Sequence, residues 1–152
     1  MKKVLASLAV ALLVVPCVRS EEDTGKTKFD PAKVVGAWTI TSGERSGDKI
    51  DKERLAAKIT VTKDTITILA GPDQKFVIGY KIDSKASPAT IDMEIKDGPG
   101  VGSKAQGIIA GNADGFKLCY VVVMDEKANR PAKFESTKDN NASLYVLTKD
   151  KK

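Results

Sequence analysis

Few groupings in this chain have residue types and spacings that chemistry could use. Asp92 and Glu94 stand two apart, so on an extended strand they share one face at a separation of about 6 to 7 Å, a distance at which one carboxyl can serve as acid and the other as base. Thr90 and Lys96 continue that face, which therefore reads as a solvated strand surface. Ser46-Gly47-Asp48-Lys49 has the Ser-x-x-Lys spacing of a nucleophile beside an amine base. It lies in a polar loop and not at a helix start, and its Ser-Asp-Asn and Lys-Thr-Gly partners are missing. Asp48, Asp51 and Glu53 offer carboxylates for weak calcium binding without the Asp-x-Asp-x-Asp-Gly loop that holds the ion.

The glycine-rich stretch Gly98-Pro99-Gly100-Val101-Gly102-Ser103-Lys104-Ala105 approaches two nucleotide signatures. Against the phosphate-cradling loop it has Ser103 in place of the second glycine and Ala105 in place of the metal-binding hydroxyl. Against the dinucleotide fingerprint Gly100-x-Gly102-x-x-Ala105 fits, but both signatures need a following helix whose N-terminus holds the phosphate. Ala105-Gln106-Gly107-Ile108-Ile109-Ala110-Gly111 is short, carries two glycines and reads as a strand. The chain has no histidine, which removes Ser-His and Cys-His relays and the commonest zinc ligand. No catalytic residue, cofactor or metal ligand is expected, and the chain is not read as an enzyme.

The elements that would position any site are short strands. Ile59 and Val61, Ile66 and Ile68, then Phe76, Ile78, Tyr80 and Ile82, then Ile91, Met93 and Ile95 alternate with polar residues at a period of two. Lys63-Asp64, Gly71-Pro72-Asp73-Gln74 and Asp97-Gly98-Pro99-Gly100 are turn sequences between them, so successive strands should form antiparallel hairpins. A first strand is expected at residues 35–41, one helical turn at 52–57, and further strands at 105–110, 116–124 and 143–148, with a long polar loop at 125–141. No helical pattern long enough for a parallel crossover separates any two strands. The fold class predicted is all-β: an antiparallel up-and-down meander of about eight strands that hides its edges by closing into a small barrel, with a sandwich as the alternative.

Around this domain, assigned to residues 34–149, the ends are processing and solvated segments. Residues 1–20 read as an export signal: Lys2 and Lys3, an apolar stretch over residues 4–15, and cleavage after Ser20. A lipid anchor on Cys17 is the rival reading, and Pro16 argues against it. Residues 21–33 form a polar leader and residues 150–152 a basic tail. Lys2, Lys3 and Arg19 would leave with the signal, reducing the net charge from +5 to +2. The remaining basic residues are interspersed with acids and the aromatics are few, so a nucleic-acid partner is not expected. Loss of Cys17 leaves Cys119 alone inside a strongly β-forming run, where a buried, inert thiol is expected. The location expected is periplasmic or extracellular, with membrane contact only during export unless Cys17 is lipidated.

Gly36-Ala37-Trp38 resembles the Gly-x-Trp signature of lipocalins. Together with Pro88-x-x-Ile91-Asp92, with Gly107-Ile108 followed by Asp114-x-x-Lys117-Leu118-Cys119, and with Arg130-Pro131-x-x-Phe134, it is similar to a family of small exported planctomycete lipocalin-like domains of unknown function. Ile109 and Ala110 depart from that family's pattern, and the 111–115 turn is longer. The resemblance implies a barrel whose end is plugged by Trp38, with Arg130 packed across the indole, and it brings no activity. Gly36, Trp38, Asp92, Cys119, Arg130, Pro131 and Phe134 are thus structural signature residues.

Two functions follow as expectations. The first is a non-catalytic structural or protein-interaction module of the cell envelope, partnered by an envelope protein. The alternative is a carrier for a small apolar ligand inside the barrel. The interior contacts would then come from Ile40, Ile66, Ile68, Phe76 and Ile78 on the first half of the meander. Tyr80, Met93, Leu118, Tyr120 and Val146 would supply the rest.

Overall fold

The computed structural model describes residues 28–125 and 128–151. The expected export signal with Cys17, residues 21–27 of the expected leader and Lys152 lie outside the described residues. The packed domain includes residues that precede the expected boundary at Val34. Phe29 is buried, and a 3-10 turn at Pro31–Val34 follows it, with the Asp30 carboxylate accepting from the Ala32 N–H at 3.0 Å. Phe29 and Val34 belong to the core because they have the apolar end of the domain to pack against.

Nine strands follow, β1 at Gly36–Arg45, β2 at Asp48–Lys49, β3 at Lys58–Val61, β4 at Thr65–Leu69 and β5 at Lys75–Asp83. The remainder are β6 at Ala89–Asp97, β7 at Lys104–Gly111, β8 at Gly115–Val123 and β9 at Ser143–Lys149. The single helical turn α1, Lys52–Leu55, is capped by the Asp51 side chain, which accepts from the Arg54 N–H. Apart from the two-residue β2, each strand pairs antiparallel with its neighbour in sequence, and β9 pairs back onto β1, from Trp38↔Lys149 to Arg45↔Ser143. Eight strands thus close into an up-and-down barrel, and β2 extends β1 as a short outer ribbon. Closure leaves no long sheet edge unpaired.

The alternation read in the sequence sets the wall. Ile59 and Val61, Ile66, and Ile91 and Met93 are buried and belong to one core with Trp38, Ile40, Phe116, Leu118 and Leu147. Strand β1 departs from strict alternation. Ile40 faces Leu147 while Ser42 faces Val146, so Thr41 is an extra residue in a bulge. The bulge turns Gly43 and Arg45 toward the interior. Gly43 is required there by close approach: a Cβ would meet Ile50 Cδ1 at 2.6 Å and a ring carbon of Tyr145 at 2.9 Å.

The polar loop expected after β8 is a strap across the outside of the barrel. Ile108, Cys119 and Val121 point outward from β7 and β8 and form a second buried cluster with Ala142 of the strap, against which Phe134 and Leu144 pack. Two dry faces explain why β8 reads as a nearly continuous apolar run, Leu118-Cys119-Tyr120-Val121-Val122-Val123.

Candidate functional site

The barrel encloses a cavity of about 680 Å³. Its floor lies at the end where β1 begins. Trp38 is fully buried there, its indole N–H donating to the Val34 carbonyl at 2.7 Å and its ring meeting Phe116 edge-on at 4.7 Å between centroids. Its walls include Ile40, Ile66, Ile68, Phe76, Ile78 and Tyr80, joined by Met93, Leu118 and Tyr120 from the opposite side. All nine were read from the sequence as interior contacts.

Val146, the tenth, does not line the cavity. On β9 the inward residues are Tyr145 and Leu147, both of which line it. The strand Ser143–Lys149 is apolar on both faces, since Leu144 packs under the strap, and a shift of one residue in parity exchanges the faces. Tyr145, Leu147 and Arg45 are therefore residues that sequence reasoning missed. The spacing of Tyr145, Leu147 and Lys149 was the available signal for β9, whereas Arg45 was concealed by the bulge at Thr41.

The wall changes character at the opposite end, the mouth. Arg45, Asp51, Glu53 and Arg54 approach it from β1 and α1, and Glu94, Ser103 and Lys104 from the β6–β7 hairpin. Two phenols lie just below. The rings of Tyr120 and Tyr145 are 6.1 Å apart and nearly parallel, at 16°. Burial pushes the Tyr120 phenol well above its ordinary range and the Tyr145 phenol adds to that, while Ser143 and Arg45 act in the opposite direction. Tyr80 is also raised, by burial first and then by Asp64, and its hydroxyl donates to the Thr62 carbonyl at 2.7 Å.

Asp92 and Glu94 both lie on the outer side of β6, each engaged by a cation. Asp92 accepts from Arg130 at 2.6 Å and Glu94 pairs with Lys96 at 2.9 Å. The hydrogen bond from Lys96 is the main reason the Glu94 carboxyl sits below its usual value. Neither carboxylate faces the other across a reacting position. Among the described residues, no group of three or more Cys, Asp or Glu side chains converges on a point where a metal would sit.

Arg130 is not packed on Trp38. Its guanidinium lies against the outer wall, donating to the carbonyls of Ile91 at 2.9 Å and Gly107 at 2.7 Å as well as to Asp92. The cation over the indole is Lys149, with Nζ 5.4 Å from the ring centroid. The reason is topological: the strap carrying Arg130 runs outside β6 to β8, and the inward parity of β9 carries Lys149 to the plugged end. Pro131 continues this outer strap and Phe134 packs under it beside Cys119. The Cys119 thiol is fully buried, donates weakly to the Glu135 carbonyl at 3.5 Å and is pushed up chiefly by burial. Its surroundings are those of an inert thiol.

Fold and cavity define the class as a small, closed antiparallel β-barrel with an apolar interior. Comparison with protein-family models, with curated proteins and with solved structures finds no match for this chain.

Proposed function

We propose that the protein is a binding barrel that carries one small, largely apolar molecule. The observation that supports this reading most directly is the cavity: about 680 Å³, walled by isoleucine, phenylalanine, methionine and tyrosine side chains. Small-molecule sites commonly occupy about 300 to 1,000 Å³ with such linings. A purely structural envelope module, the first expectation from the sequence, would be served by a barrel filled with side chains, so the cavity favours the carrier. No chemical step is assigned to the protein. The Gly36-x-Trp38 signature supports a lipocalin-like carrier, and the signal-like residues 1–20 support a place outside the cytoplasm, periplasmic or extracellular.

Titration with N-phenyl-1-naphthylamine, a neutral apolar fluorophore, tests the reading. Saturable binding of one probe per chain at micromolar concentration is expected. Ala105 lines the cavity, so Ala105→Phe should fill part of the space and weaken binding by about 10-fold or more. Absence of saturable binding to the wild-type protein would overturn the carrier.

A further inference from the structure

The mouth of the cavity holds a row of polar side chains that an entirely apolar ligand would not use. In the strand register Tyr120 of β8 is opposite Ser143 of β9, and Ser143 is opposite Arg45 of β1. The barrel closure thus places a phenol, a hydroxyl and a guanidinium side by side across three adjacent strands. Tyr145, two residues along β9, adds a second phenol stacked on the first. Both phenols and the guanidinium line the cavity, directly above the apolar walls.

Among the described residues two cations that line the mouth, Arg45 and Lys104, have no carboxylate within ion-pair distance, and of the two only Arg45 belongs to this row. Arg54 pairs with Asp51 at 3.8 Å, Lys96 holds Glu94, and Lys104 acts on Glu94 as well. Among the described residues no carboxylate lies within ion-pair distance of Arg45. Glu53 of α1 also borders the mouth, and no described cation pairs with it. A guanidinium presents a planar fork of donors suited to the two oxygens of a carboxylate, and an adjacent phenol supplies one more donor in the same direction. The Tyr120 hydroxyl lies within hydrogen-bonding reach of Ser143 and Tyr145, so the three groups form one polar cluster beside the guanidinium.

Resting on the carrier reading, we propose that the ligand is an amphipathic anion: an apolar body seated between Ile66, Phe76, Ile78 and Met93, and a carboxylate head group bound at the mouth by Arg45 with Tyr120 and Tyr145. The head remains near water, which limits the gain from the charge. Hydrogen bonds to a charged group at such a position correspond to about a 10-fold preference or more.

Displacement of bound N-phenyl-1-naphthylamine by dodecanoate and by dodecan-1-ol, both below their aggregation limits, reads this preference against a matched tail. Dodecanoate is expected to displace the probe at roughly 10-fold lower concentration than the alcohol. Arg45→Gln should abolish the difference, read as the ratio of acid to alcohol displacing concentrations within each variant, and should leave the melting temperature unchanged, because Arg45 is exposed and forms no ion pair among the described residues. Tyr120→Phe should reduce the difference in part. Glu53→Gln should preserve or increase it. Equal displacement by acid and alcohol would overturn the anionic head group and leave the apolar carrier standing. A preference that survives in Arg45→Gln would overturn the assignment of the head group to this row. Failure of the probe itself to bind would overturn the carrier, and the head-group site with it.

Discussion

Lys149 covers Trp38 at the plugged end of the barrel, its ammonium 5.4 Å from the indole centroid. The contact depends on Gly36, whose φ of +141° is disfavoured for other residues and whose absent side chain leaves room for Lys149: a Cβ there would meet Lys149 Cε at 3.0 Å. The first and last strands thus meet through a glycine, an indole and a lysine stem, and the floor of the cavity rests on that arrangement.

Trp38→Ala should be among the most destabilising single changes in the domain. The indole is fully buried, donates to the Val34 carbonyl and meets Phe116 edge-on, so truncation leaves a large void at a cost of about 3 to 5 kcal/mol. Denaturant melts of wild type and variant give the difference directly. As the sole tryptophan, Trp38 should also emit at short wavelength in the folded protein. A loss below about 1 kcal/mol would contradict its role as the plug.

Lys149→Met keeps an apolar stem over the ring and removes only the charge. The expected cost is small, about 0.5 to 1 kcal/mol. Trp emission should respond to Lys149→Met and remain unchanged in Arg130→Ala, whose side chain lies on the other side of the wall.

Arg130 pins the strap. Its loss leaves the Ile91 and Gly107 carbonyls and Asp92 without their charged donor, and Arg130→Ala should cost about 2 to 3 kcal/mol. Arg130→Lys should recover little, since an ammonium cannot reproduce the planar fork that reaches these acceptors. The strap also seals Cys119, so the thiol should react slowly with a disulfide reagent in the wild type and faster in Arg130→Ala. Equal rates would show that the strap closes without this residue.

Alkaline pH should loosen the fold. Burial raises the Cys119 thiol above its ordinary value of 9.0 and the Tyr80 and Tyr120 phenols above 10.0. Once the pH passes those ordinary values, the unfolded chain releases protons that the folded chain retains, so stability falls with rising pH. The contribution of these groups is complete below about pH 8 and declines through pH 9 to 10 and beyond. Tyr120→Phe should lessen the decline, as measured by melting temperature across an alkaline series.

The strands were legible because each buries one face, and a period of two survives wherever the other face is wet. Ile66 and Ile68, or Phe76, Ile78 and Tyr80, declared their side of the wall in this way. Legibility failed where a second dry face erased the contrast, as at Leu144 and Val146 on β9, and where an inserted residue changed the parity, as at Thr41 before Arg45. Arg130 was misplaced for a different reason. A loop residue carries no periodicity, so nothing local distinguishes a guanidinium that crosses the barrel end from one that clips a strap to the outer wall. Phe29 was lost to the leader because one aromatic among polar residues forms no pattern until the surface it packs on exists.

The β1–β9 seam sets an order of events for the chain during its manufacture. Residues 36–45 cannot find their partner until residues 143–149 have been synthesised, so a ribosome still holding the last strand displays an open, one-sided sheet with an unpaired edge at β1. Closure of the β1–β9 seam therefore requires residues 143–149 as well as residues 36–45 to be free to pair. If the chain is exported as proposed, residues 36–45 would cross the membrane ahead of residues 143–149, and the two halves of the seam would meet only on the far side.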